Sequence, residues 1–209
     1  GPNTQEVRIM RCTNLTTVDL SMLTGLVELY ITDNAALQQV NLGNVKTIDG
    51  GAYINNCPQL TNLNLSAVGR IGQTFAGTNG FVVTGTGIQS INLPVLKQIT
   101  GYVKIKNNQG LINLNMPQLT GHSSTADSSF VISGCPVLSS ASFHDLKNVG
   151  YFSLVSTPTA LNTVDFSSLI SVATDFSLKV NQASSISFPQ LVNVGSMIAI
   201  TGGQILAAN

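Results

Sequence analysis

Three cysteines, two histidines and nine carboxylates are the groups in this 209-residue chain best suited to covalent, acid–base or metal chemistry. A thiol nucleophile needs a base beside it, and a zinc site needs ligands at short, characteristic spacings. No His accompanies Cys12, Cys57 or Cys135 in the chain, and His122 and His144 have no cysteine or carboxylate at metal-ligand spacing. Polysaccharide hydrolysis requires two carboxylates roughly 5–10 Å apart, and calcium-dependent cleavage requires a carboxylate cluster. The carboxylates here are scattered, and no two are expected to share an outward column on adjacent turns of the repeat described below. No Gly-x-Ser-x-Gly, phosphate loop or dinucleotide fingerprint occurs; Gly85 and Gly87 in VVTGTGIQS imitate part of one, and a turn explains them. No catalytic residue, cofactor or metal is expected.

The residues suited to binding are four tyrosines and a few lysines, and their placement depends on how the chain repeats. Gly101–Gly121 reads GYVKIKNNQGLINLNMPQLTG, with apolar positions at neither helical spacing nor simple strand alternation. Anchoring on Ile105, the equivalent positions are Ile9, Ile31, Ile54, Val83, Ile132, Leu154, Leu178 and Ile200, at a basic step of about 22 residues. About eleven residues after the anchors stand Leu20, Leu42, Leu65, Leu93, Met116, Phe143, Phe166 and Phe188, and two further apolar columns keep the same frame. Each unit contains two apolar-x-apolar pairs separated by Asn, Gly or Pro, which are strand and turn signals. One unit cannot hold itself together: burying about five side chains at ~1.5–3 kcal/mol each does not offset ordering some twenty residues at ~1–2 kcal/mol each. Stacked neighbours must supply the rest. The expectation is a single all-β solenoid domain over residues 1–209, with about nine rungs and a length on the order of 40 Å.

Charged residues make up only 9% of the chain and the formal net charge is zero, so neither nucleic acid nor an acidic membrane surface has electrostatic support as a partner. No apolar run approaches the ~18 residues of a membrane-spanning helix. The opening Gly-Pro reads as a protease scar within residues 1–3, with native targeting removed. All three cysteines fall three residues after an anchor, a column otherwise holding Asn34, Thr86, Asn108, Thr157 and Asn181. Small polar side chains there would turn inward and satisfy turn backbone. Cysteines two or three rungs apart are too distant for a disulfide, so buried free thiols are expected.

The segments YINNCPQLTNLNLSAVGRIG, VKIKNNQGLINLNMPQLTG and FVISGCPVLSSASFHDLKNVG resemble receptor L-domain repeats, as found in growth-factor receptors, GPI-anchored fungal cell-wall proteins and bacterial surface leucine-rich-repeat proteins. The resemblance covers almost the whole chain. It implies a right-handed β-solenoid that is extracellular and not an enzyme. The disulfide-bonded caps of the eukaryotic receptors are absent, and the only N-glycosylation sequons are at Asn14 and Asn64, which favours a bacterial surface protein.

Strand alternation places each anchor and the residue two before it inside, and the residues one and three before it outside. Phe81, Phe130, Phe152 and Phe176 are then internal, whereas Tyr30, Tyr53, Tyr102 and Tyr151 lie on one outward face. Tyrosine covers a sheet well, and it also serves as a platform for a sugar or a protein. Two long units carry insertions, Gly72–Gly80 and Thr120–Ser128, which would flank the rung bearing Tyr102, Lys104 and Lys106; His122 and Asp127 fall in the second. Such loops either bind or are tolerated surface insertions. Lys46, Arg70, Lys97 and Lys147 read as solvated turns, and the outward threonines are too irregular to match ice. The expected function is a non-catalytic adhesion module contacting a protein or glycan through this face and its loops. A structural spacer of a cell-wall assembly is the alternative, and a polysaccharide-active enzyme the least favoured one. The closing QILAAN offers no cap, so the expectation is either further residues beyond Asn209 or end-to-end self-association.

Overall fold

Each unit folds as three short strands separated by sharp corners, and equivalent strands of successive units pair in parallel. The computed structural model describes residues 6–73, 79–122, 129–155, 161, 163–180 and 186–202. The first face is a nine-stranded sheet running from Glu6–Met10 through Glu28–Thr32, Ala52–Cys57, Gly80–Thr86, Tyr102–Lys106, Ser129–Ser133, Tyr151–Val155 and Phe176–Lys179 to Ile198–Thr201. A second face consists of three-residue strands such as Gln39–Asn41 and Asn113–Asn115, and a third of two-residue strands such as Thr47–Ile48. Nine first-face strands are joined by eight complete turns, so the fold is a β-solenoid, and no helix occurs among the described residues.

The anchors stack in register over the whole length, from Ile9 against Ile31 to Leu178 against Ile200. Alternation along Tyr102–Lys106 buries Val103 and Ile105 completely and leaves its other residues half-buried. The second-face column is aliphatic in the early rungs, with Leu42, Leu65, Leu93 and Met116. It turns aromatic later, where Phe130, Phe152 and Phe176 from the first face meet Phe143, Phe166 and Phe188 edge-on at 5.0–5.3 Å. Edge-to-face pairs of this kind add about 0.5–1.5 kcal/mol beyond area burial.

The Asn-Asn pair after Ile105 has two separate causes. Arg11, Asp33, Asn56, Gly85, Asn107 and Gly134, each two residues past an anchor, all have φ between 51° and 63°. This left-handed corner bends the chain out of the first face, and Gly, Asn and Asp tolerate it best. One residue on, the side chain turns inward: Asn108 donates through Nδ2 to the Val83 carbonyl at 2.9 Å and accepts from Thr86 N at 3.1 Å and Thr86 Oγ1 at 2.8 Å. Asn34 repeats this one rung above the start, bonding Ile9 O and Cys12 N. Cys57 and Cys135 take the same place, their thiols directed at Ile31 O and Ile105 O. Both are fully buried and in no disulfide, as expected, and burial pushes both thiols up. Cys12 departs from that expectation: it is half-buried, because no described strand covers that side of its rung.

Candidate functional site

The outward side of the first face carries the predicted tyrosines, and the rings of Tyr30, Tyr53 and Tyr102 pack against neighbouring side chains or strands. Tyr30 and Tyr53 occupy paired positions of adjacent strands and stack at 4.8 Å with planes 15° apart. The Arg8 guanidinium sits 4.6 Å from the Tyr30 ring centre, a cation–π contact. Tyr30 Oη donates to Glu28 Oε2 at 3.0 Å, and Glu6 pairs with Arg8. Partial burial, then the Glu28 bond, raises the Tyr30 phenol above its ordinary value. Tyr53 continues over Gly51, and Tyr102 leans over Gly80, where an added Cβ would stand 2.8 Å from its ring. Burial above all, and then the neighbouring Tyr102, pushes the Tyr53 phenol well up. The Lys104 ammonium closes the row 4.3 Å from the Tyr102 ring centre.

Five rungs are thus spanned by one layer of rings and charges; sequence spacing placed its tyrosines and Lys104 on this face, but not Arg8, Glu6 or Glu28. Tyr53, expected to be offered outward, is only 8% exposed, because Tyr30 stacks on its ring and the side-chain-free Gly51 leaves room for the ring along its own strand. Tyr30, Tyr102, Lys104 and Lys106 are half-buried. Tyr151 belongs to the same face but lies two strands beyond Tyr102, past Ser129.

His122 requires a correction. The second insertion begins later than its sequence suggested: Gly121–His122 is a third-face strand, and His122 stands in the inward column shared with Ile71 and Ile99. It is 4% exposed, 5.5 Å from the Phe130 ring, and neither ring nitrogen has a hydrogen-bond partner. Burial lowers its pKa to about 4; the Gly101 main chain opposes this slightly without reaching hydrogen-bond geometry. It therefore makes no surface contact. Asp127 lies outside the described residues, as do 74–78 of the first insertion, although both insertions do connect the third face to the first on either side of the Tyr102–Lys106 strand.

Two juxtapositions escaped the sequence reading. Glu6 and Glu28 are paired positions of adjacent strands, contrary to the expectation that no two carboxylates share an outward column; each is engaged, by Arg8 and by Tyr30. His144 Nδ1 meets Asp165 Oδ2 and Ser167 Oγ, both at 2.9 Å, across one rung. The Asp165 bond raises the His144 pKa. Serine and carboxylate share one ring nitrogen here, so the imidazole cannot pass a proton from one to the other as a nucleophile–base pair requires. The 21-residue separation, one rung, was the available signal. Among the described residues no group of three His, Cys, Asp or Glu side chains is placed to hold a metal, and no helix is long and apolar enough to cross a membrane.

No family model, curated protein or solved structure matches this chain, so what is established of its kind is a β-solenoid repeat protein.

Proposed function

We propose that the chain is a non-catalytic, extracellular binding module related to the receptor L-domain repeats its motifs resemble. Its first face, edged by the two insertions, would contact a protein or glycan in adhesion. The observation that carries this reading is the preorganised layer from Arg8 to Lys104: rings and cations held by one another lose little freedom on binding, and such anchors dominate interfaces. Because both sides of Tyr30 are taken, by Arg8 and by Tyr53, a broad protein surface suits this face better than a sugar stacked on a ring.

The test is a cell-binding and glycan-binding screen of the wild type against a Tyr102→Ala, Lys104→Ala, Lys106→Ala variant. Binding lost only in the variant supports the site, and binding indifferent to all three changes removes it. No binding at all would favour a structural spacer, a reading supported by the same internal satisfaction of Arg8, Glu28 and Tyr30.

A further inference from the structure

Among its described strands the second face is interrupted once. Thr17–Asp19, Gln39–Asn41 and Asn62–Asn64 form one sheet, Ser90–Asn92 begins another, and no strand pairing joins Asn62–Asn64 to Ser90–Asn92. The cause is legible in the turns. Thr17, Gln39, Asn62, Asn113 and Ser140 each follow their anchor by eight residues, whereas Ser90 follows Val83 by seven. The shortened turn passes so close to its neighbour that a Cβ on Gly87 would lie 2.6 Å from the Pro58 carbonyl.

Before the break, the outward positions are polar in pairs, one pair per rung: Thr17 with Asp19, Gln39 with Asn41, Asn62 with Asn64. With Asn92 across the break they line an open groove of about 490 Å³, within the range of small-molecule sites, roughly 300–1,000 Å³. Its two banks differ. On one, Asn64 Nδ2 donates to Asn41 Oδ1 at 2.9 Å and Asn41 Nδ2 to Asp19 Oδ1 at 3.2 Å, while the same side chains accept from the amides of Ser66, Gly43 and Ser21. That bank is fixed. On the other, Thr17, Gln39 and Asn62 are exposed, and their side chains hydrogen-bond to no described residue.

We infer that this groove binds a neutral, linear oligosaccharide, with Gln39 and Asn62 making the direct contacts. A primary amide presents a donor and an acceptor side by side, which matches adjacent hydroxyls of a sugar. The pairs recur at the strand spacing of ~4.8 Å, close to the length of one pyranose ring, so successive sugar units meet equivalent side chains. Among the described residues one carboxylate and no cation line the groove, so phosphate, sulfate and uronate ligands are disfavoured. No aromatic ring among the described residues lines it, so affinity comes mainly from hydrogen bonds and is weak. The groove lies on a different face from the surface proposed above, and the two readings stand or fall separately.

The experiment is a calorimetric titration of the intact chain with neutral tetrasaccharides of glucose, mannose, xylose and N-acetylglucosamine, with a galacturonate tetramer as the charged control. At least one neutral tetramer is expected to bind saturably, at least tenfold more weakly to the Gln39→Ala, Asn62→Ala variant and unchanged to Tyr102→Ala, Lys104→Ala. The two exposed, unbonded residues can be removed without altering the melting temperature, which is measured alongside. The inference is overturned by the absence of saturable binding to every neutral tetramer at millimolar concentration, by preference for galacturonate, or by binding that ignores the Gln39 and Asn62 changes.

Discussion

Replacing His122 with valine should stabilise this protein, and most of all in mild acid. The imidazole occupies a column of isoleucines and valines, is 4% exposed and leaves both nitrogens without partners. A buried unsatisfied polar group costs about 1–3 kcal/mol. Valine removes that cost but fills less space, so a net gain of about 1 kcal/mol is expected near neutrality, worth roughly 2–4 °C in Tm for a chain of this size. The acid effect is larger. Burial lowers the His122 pKa from 6.5 to about 4, so the unfolded chain binds the proton first as pH falls. Stability is then lost between those two values. At about 1.4 kcal/mol per pH unit this approaches about 3 kcal/mol once both pKa values are passed. The assay is urea unfolding of wild type and His122→Val at about pH 7.5 and about pH 4.5, where most of that loss, about 2.5 kcal/mol, should already separate the two proteins. His144 works in the opposite sense: its Asp165 pair raises its pKa, so that contribution is present in acid and lost as pH rises. The lowered pKa values of Asp19 and Asp165 act below this window. All three are common to both proteins and cancel in the difference. Parallel pH profiles for wild type and variant would refute the reasoning.

Three other outcomes follow from the corners and the interior. Arg11→Asn relieves an arginine held at φ 57° and should raise stability by about 0.5–1 kcal/mol, whereas Asn107→Val at φ 55° should lower it by about 1–2 kcal/mol; thermal melts compare them. Asn108→Leu abandons three buried hydrogen bonds at once and should cost at least about 3 kcal/mol, seen as a reduced urea midpoint or failure to fold. A thiol reagent should modify Cys12 alone in the native protein and reach Cys57 and Cys135 only in denaturant; rapid native labelling of all three would contradict their burial.

The repeat could be read from sequence because the anchor column is apolar in every rung, and all eight anchor pairs stack as the spacing predicted, including Ile54 with Val83 across the longest step. Burial of Phe81 and Phe130 and the outward placement of the tyrosines followed from alternation along strands of five to seven residues. His122 was misplaced because a two-residue strand has no alternation to read, and its neighbours Ser and Thr resemble loop. Tyr53 was placed on the right face, but its burial depends on the missing side chain of Gly51, which alternation does not register. The pairings of Glu6 with Glu28 and His144 with Asp165 lie between rungs, and only exact register, counted for polar as well as apolar residues, would have found them.

The gap beside Asn62–Asn64 gives the rod a direction of easy bending. Rungs three and four remain tied along the first face, where Ala52 and Phe81 pair, and along the third, where Arg70 and Gln98 pair, but not along the second. With one of its three ladders missing there, this joint should bend at less cost than the fully paired rungs beside it, widening or narrowing the cleft. A chain loaded from one end would transmit force stiffly through its later turns and yield at this articulation, so that mechanical tension and occupancy of the cleft act on the same few residues.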